Sequence, residues 1–353
     1  MKIDRVHFYT RDAATTKDWF INNVGFKAIG NANNKHTQTE IIALNSACLV
    51  FSSPVTNSSP VKQYLDSHPS GVADVVFQVD DVEAIVDRAK HLGLKILQQP
   101  QIKRSPQGIY KTAQIEGWGD LQHTSIEKLG VTRNLSSPTT SNHFDSKIVD
   151  IDHIVLNVAA GQLNSAVKLY RELFGFKIQQ SFDIQTKTSG LYSQALVDDS
   201  GRVQFNINEP TSANSQIQEF IDLNRGSGIQ HLALRSQNLI ADVEQMRGVD
   251  FLTIPQSYYS DRLYQLLNLT TTEWQAIIKQ QILVDRQDAN SPSLLMQIFS
   301  QPIFELPTFF IEFIERRHQA QGFGRGNFKA LFEAVEREQI KSEVGNAHPT
   351  RFT

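Results

Sequence analysis

The sequence predicts an α+β fold built from one unit written twice, and three observations predict it. "IDRVHFYT" (3–10) and "IDHIVLNV" (151–158) both open on Ile-Asp and continue with strand-like alternation. Each is followed by an amphipathic, aromatic-bearing helix pattern, "TKDWFINNVGFK" and "AVKLYRELFGFK". These end at Gly25 and Gly175, where glycine suits a left-handed helix terminus. Between the copies, "VTRNLSSPTTSNHF" (131–144) is polar, rich in Ser and Thr, and without period, as a linker is.

The later elements repeat in the same order. "GVADVVFQVDD" (71–81) is answered by "GIQHLALRSQN" (228–238), and each strand leads into a helix pattern, "VEAIVDRAKHLGL" or "LIADVEQMRGV". "TSIEKLG" (124–130) is answered by "FFIEFIE" (309–315). Each half therefore reads strand, helix, several strands, helix, strands. The expected boundaries are 1–135 for the first domain, 136–147 for the linker and 148–353 for the second. The second half is longer by residues 257–287 and by a terminal helix, "NFKALFEAVEREQIK" (327–341).

Composition narrows the function. Of 353 residues, 40% are hydrophobic and 20% charged, as in ordinary globular domains. A net charge of −3 supplies no basic field for nucleic acid or an anionic membrane. Cys48 is the only cysteine, which excludes an internal disulfide and a thiolate-based metal cluster. The N-terminus lacks the apolar core of a signal peptide, and no apolar run approaches ~18 residues. A cytoplasmic protein is expected, with homo-oligomerisation left open.

Overlaying the halves sets Arg5 opposite His153, Asp74 opposite His231 and Glu127 opposite Glu312. Two imidazoles and one carboxylate on a sheet face form a set suited to non-haem iron(II), with coordination positions left for substrate and oxygen. A His2Glu set also suits zinc, so these residues alone leave the metal open. Arg5 cannot ligate, because a guanidinium keeps its proton. The first copy is thus expected to be scaffold and the second to hold the metal. His36, His68, His91, His143 and His348 read as solvent-facing, and His7 and His123 as strand residues without co-ligands. "GFGRGNF" (322–328) lacks the G-K-[ST] of a phosphate loop.

The second half resembles the 4-hydroxyphenylpyruvate dioxygenase family of the vicinal oxygen chelate superfamily. The blocks that carry the resemblance are "DHIVLNV", "NINEP" with "SQIQEF", "GIQHLAL", "SYYSDRL", "LLMQIF", "PTFFIEFIER" and "GFGRGNFKALFEAVEREQ". It implies paired βαβββ modules forming a half-open barrel in each domain, with a C-terminal lid helix. It also implies Fe(II) held by His153, His231 and Glu312. By the same resemblance Ser193, Asn208, Gln216, Gln230, Gln297, Phe299, Phe310, Asn327 and Phe328 bind substrate, and Gln230, Gln297 and Phe328 serve catalysis. The implied substrates are 4-hydroxyphenylpyruvate and O2, and the products homogentisate and CO2. Related enzymes that make 4-hydroxymandelate carry a smaller aliphatic residue where this chain has Phe328. Other superfamily members are metal-free binders of small molecules. The family usually has Pro where this chain has Asn206, which adds a polar group to the expected pocket wall.

Overall fold

Alternation in the first strand, β1 (Lys2–Tyr9), buries Val6 and Phe8 on one side and leaves Arg5, His7 and Tyr9 on the other. Helix α1 (Ala13–Val24) follows. The Asp12 side chain accepts hydrogen bonds from the amides of Ala14 and Thr15 at its start, and Gly25, with φ of 90°, ends it. Strands β2 (Lys27–Asn31), β3 (Thr37–Leu44) and β4 (Ala47–Pro54) complete a first βαβββ module. Helix α2 (Pro60–Ser67) leads to a second module: β5 (Gly71–Gln78), α3 (Val82–His91), β6 (Ile96–Ser105), β7 (Gly108–Glu116) and β8 (Gln122–Val131).

The C-terminal half repeats the plan. Its first module is β9 (Ile148–Asn157), α4 (Leu163–Phe174), β10 (Lys177–Gln185), β11 (Gly190–Val197) and β12 (Gln204–Pro210). Helix α5 (Gln216–Asn224) leads to β13 (Gly228–Ser236) and α6 (Leu239–Gln245). Two inserted helices, α7 (Asp261–Leu267) and α8 (Thr271–Gln280), precede β14 (Leu283–Asp285), β15 (Leu294–Phe299) and β16 (Phe310–Arg317). The insertion occupies the surplus that distinguishes the second half in sequence.

Each half forms one curled eight-stranded sheet. The orders, β2-β3-β4-β1-β5-β8-β7-β6 and β10-β11-β12-β9-β13-β16-β15-β14, are the same order twice. The computed structural model describes residues 1–105, 108–131, 146–186, 189–267, 269–286, 291–324, 326–328, 330, 331 and 333. Most of the expected linker and most of the expected terminal helix lie outside the described residues, as do His143 and His348. Helical backbone is present at 326–328, 330, 331 and 333. Among the described residues no helix is long and apolar enough to cross a membrane.

One apolar core runs through both halves, with Phe77, Phe174, Phe176 and Phe205 clustered at their seam. Backbone and side chains also cross it. Ser46 N donates to Val149 O at 2.9 Å, and Asn45 Nδ2 donates to Ile148 O at 2.6 Å. The seam corrects one expectation: His68 is buried rather than solvated. Its Nδ1 lies 2.7 Å from Asn224 O and its Nε2 lies 2.8 Å from Asp120. Nothing local to residue 68 announces packing against a helix of the other half.

Strand register corrects a second expectation. β1 pairs with β5 so that Arg5 meets Val76, and β9 pairs with β13 so that His153 meets Ala233, which confirms the first two overlays. On the next strand Asp74 faces Gln122, as His231 faces Phe310. Two residues further along, the counterpart of Glu312 is Thr124, not Glu127. Glu127 corresponds instead to Glu315, and the two carboxylates do the same work. Glu127 accepts from Val82 N at 3.0 Å and Glu315 from Leu239 N at 2.7 Å, each satisfying the first amide of a helix. The repeated Glu marks a helix cap, which "IEK" and "IEF" disguised by their likeness.

Candidate metal centre

The concave face of the second sheet assembles the three expected ligands in two adjacent rows. Register runs Gln204–His153–Ala233–Glu312–Phe299 across five strands, and Asn206–Val155–His231–Phe310 in the row above. Neighbouring strands stand ~4.8 Å apart, so His153 and Glu312 start about two strand spacings from each other. Curling of the sheet and the small Ala233 between them let their side chains meet. His153 Nε2 lies 3.2 Å from Glu312 Oε2, and His231 Nε2 lies 3.6 Å from the same oxygen. Ligand atoms ~2.1 Å from one ion and at right angles lie about 3 Å apart, so the donor set fits a divalent transition metal. All three residues are buried.

The first half shows what the same rows become without imidazole. Asp74 sits in the place of His231 and accepts from Thr124 N at 2.9 Å, Thr124 Oγ1 at 2.5 Å and Gln114 Nε2 at 3.1 Å. Its place is filled by hydrogen bonds rather than by ligands. Among the described residues one other group, Asp81, Glu83 and Glu127, could share an ion. It is largely exposed, and Lys111 already neutralises it, 2.6 Å from Glu83 and 3.4 Å from Glu127.

Electrostatics prepare the ligands. Burial opposes charge on Glu312, but the imidazoles of His153 and His231 overcome it and hold the carboxyl at about 2. Burial likewise opposes charge on His153, yet Glu312 and then Asp152 raise it to about 9. His231 moves the other way, because desolvation outweighs its single carboxylate neighbour. Behind His153, Asp152 Oδ1 lies 2.9 Å from Nδ1, the arrangement that directs Nε2 toward a metal. Arg316 holds Asp152 through two hydrogen bonds of 2.7 and 2.8 Å.

The triad opens on a cavity lined also by Val155, Asn206, Asn208, Gln297, Phe299, Phe323, Phe328 and Leu331. Its free volume is about 20 Å³, room for about one water. Of the residues expected to bind substrate, Asn208, Gln297, Phe299 and Phe328 line it. Ser193, Gln216, Gln230, Phe310 and Asn327 lie beside it instead. Ser193 sits across from Asn208 on β11, and Gln216 is the buried first residue of α5. Gln230 occupies a bulge between Ile229 and His231, and Phe310 stacks on the His231 ring with centroids 4.5 Å apart. Asn327 reaches the site through a relay: its Nδ2 donates to Gln297 Oε1 at 2.8 Å, and Gln297 Nε2 donates to Glu312 Oε1 at 2.8 Å.

Several buried polar atoms on this face lack partners: Ser193 Oγ, Asn206 Oδ1, Asn208 Oδ1 and His231 Nδ1. Buried groups left unpaired in a folded interior call for a ligand or ordered water. Asn206 on β12 supplies one of these acceptors. Sequence reasoning passed over Val155, Phe323 and Leu331. Val155 shares the face of His153 by simple alternation, and Leu331 lies one turn beyond Phe328. Phe323 stands between two glycines in "GFGRGNF", where its ring meets His153 edge-on at 4.8 Å.

Comparison with known proteins decides the family. The superfamily pattern described as glyoxalase/bleomycin resistance protein/dioxygenase matches residues 2–109 and 150–273, one stretch in each half. A 4-hydroxyphenylpyruvate dioxygenase from Yarrowia lipolytica is 32% identical over 366 residues, spanning 96% of this chain and 92% of that protein. The chain belongs to the 4-hydroxyphenylpyruvate dioxygenase family. An uncharacterised protein of Synechocystis is 37% identical over 98% of this chain and 100% of its own. Among solved structures, a mutant 4-hydroxymandelate synthase from Streptomyces coelicolor superposes with a TM-score of 0.84. It has 26% identity and covers 96% of this chain and 98% of that one. Membership in this family agrees with the duplicated half-barrels.

Proposed function

We propose that the chain is an iron(II)-dependent dioxygenase that converts 4-hydroxyphenylpyruvate and O2 to homogentisate and CO2. The observation that carries this reading is the convergence of His153, His231 and Glu312 in a cavity walled by aromatic rings and unpaired amides. The family's named members support the choice of substrate. The three ligands would hold iron(II), which when bound supplies the oxygen-activating chemistry.

The chain's own residues do the rest. Phe299, Phe323 and Phe328 offer flat apolar surface to a phenyl ring, while Ser193, Asn206 and Asn208 offer acceptors and donors suited to its phenol. Gln297 has its amide committed at both ends, to Glu312 and Asn327, so its part is to orient the carboxylate. With Phe328 and Leu331 in place, the cavity holds too little space for the substrate. Admission requires the Phe328 and Leu331 side chains to move aside, and their return excludes water.

A second reading, a 4-hydroxymandelate synthase acting on the same substrate, is favoured by the structural likeness to that enzyme. Phe328 separates the two, because its ring fills space that a smaller aliphatic residue would leave to the substrate. It packs edge-on against Phe182, centroids 5.2 Å apart, which fixes it at the cavity mouth. Incubation of the iron-loaded protein with 4-hydroxyphenylpyruvate, ascorbate and air tests the choice. Homogentisate supports the dioxygenase, and 4-hydroxymandelate the alternative.

A further inference from the structure

We propose that Arg316 is a positioning residue that ties the ring of His153 to the loop carrying Phe323. Capture of a metal and closure of that cavity wall then become one event. The inference rests on the reading of the triad as a metal centre, and it concerns a residue outside the cavity wall.

Arg316 is the penultimate residue of β16, and its side chain is 9% exposed. Its guanidinium is used on three sides. Nε and Nη2 hold the two oxygens of Asp152, whose Oδ1 also faces His153 Nδ1 at 2.9 Å. Nη1 donates to Gly322 O at 2.6 Å and Ala320 O at 3.2 Å. Its central carbon, Cζ, lies over the Phe323 ring, 5.8 Å from the centre. Phe323 then returns to His153 edge-on at 4.8 Å. One cation thus reaches the same imidazole by two routes, through a carboxylate and through a loop.

The loop depends on this grip. His318 and Gln319 have φ of 49° and 58°, conformations that non-glycine residues adopt at a cost of ~1–3 kcal/mol each. Ala320 N donates to Arg317 O at 3.1 Å, closing the turn that follows β16. The carbonyls held by Arg316 tie this turn back to the sheet. Lysine could keep the charge but not the fork, the two carbonyl bonds and the Phe323 contact together. Coupling of this kind is reciprocal: whatever orders His153 must order the loop, and the reverse.

The test uses the full-length protein, with Co(II) as the metal probe, and the variants Arg316→Lys and Asp152→Asn. In metal-free protein, both variants should accelerate hydrogen–deuterium exchange over 318–324, Asp152→Asn doing so without touching the loop. Both should weaken Co(II) binding by ~10–100-fold, the usual effect of losing an outer partner of a ligand. In wild type, Co(II) should slow exchange over 318–324, and in Arg316→Lys saturating Co(II) should not. Wild-type exchange in metal-free Asp152→Asn, or wild-type Co(II) affinity in Arg316→Lys, overturns the tie. If the wild-type protein takes up no metal at all, the triad reading fails, and the metal-free exchange still decides the tie.

Discussion

His153 on β9 and Glu312 on β16 approach to 3.2 Å although β13 lies between their strands. The contact exists because β13 presents Ala233 in that row and places His231 one row away. Replacing His231 removes a ligand while leaving this ladder intact. His231→Ala should lose stoichiometric iron and fall to background oxygen uptake with 4-hydroxyphenylpyruvate, while its far-ultraviolet circular dichroism stays that of wild type. A variant that keeps both iron and turnover would remove His231 from the centre.

In the proposed reaction Phe328 sets how the substrate ring is held. Phe328→Ile opens space beside Phe182 and Asn208 and lets the ring shift. Part of the product should pass from homogentisate to 4-hydroxymandelate, measured by chromatography of the reaction mixture. An unchanged product spectrum would place the control of outcome elsewhere in the cavity.

Asn327 is fully buried and anchors the helical segment to β15 and to the insertion, accepting from Tyr258 Oη at 3.0 Å and donating to Gln297. Asn327→Ala leaves the buried Gln297 Oε1 without its donor, at about 1–3 kcal/mol, while Tyr258 Oη keeps Val284. Its effect should be local. Protease cleavage around 323–333 should quicken and KM for the substrate should rise, with little change in the midpoint of global unfolding.

The duplication and the two curled sheets were legible in the sequence, because strand alternation and repeated helix stops are local signals. His153, His231 and Glu312 were singled out by overlay and resemblance, and the fold groups them. Register was not legible. "TSIEKLG" and "FFIEFIE" align by eye on their glutamates, yet hydrogen bonding sets Thr124 opposite Glu312 and pairs Glu127 with Glu315. A shift of three residues costs nothing in pattern and changes which side chain reaches the site. His68 and Phe323 were illegible for the same reason. The burial of one is decided by a helix of the other half, and the position of the other by the guanidinium of Arg316.

His123 predicts a pH dependence. It is fully buried between Tyr170 Oη, 2.9 Å from Nε2, and Val75 O, 3.3 Å from Nδ1, and burial pushes it down to about 4. Above an ordinary value of ~6.5 the ring is neutral both folded and unfolded, and its contribution is complete. Between 6.5 and 4 only the unfolded chain takes up the proton, so stability falls as pH falls, by on the order of 3 kcal/mol. His123→Gln removes this share. Urea midpoints measured from pH 7 to 4.5 should fall less steeply in the variant, and equal slopes would contradict the assignment.

The most direct test of the central claim is the reaction itself, run with iron-reconstituted protein, 4-hydroxyphenylpyruvate and oxygen labelled with the heavy isotope. One CO2 and one homogentisate should form per O2 consumed, with both oxygen atoms from O2 incorporated into the homogentisate, and turnover should stop once iron is chelated. Turnover that survives chelation, or an iron-loaded protein that consumes no oxygen with this substrate, would contradict it.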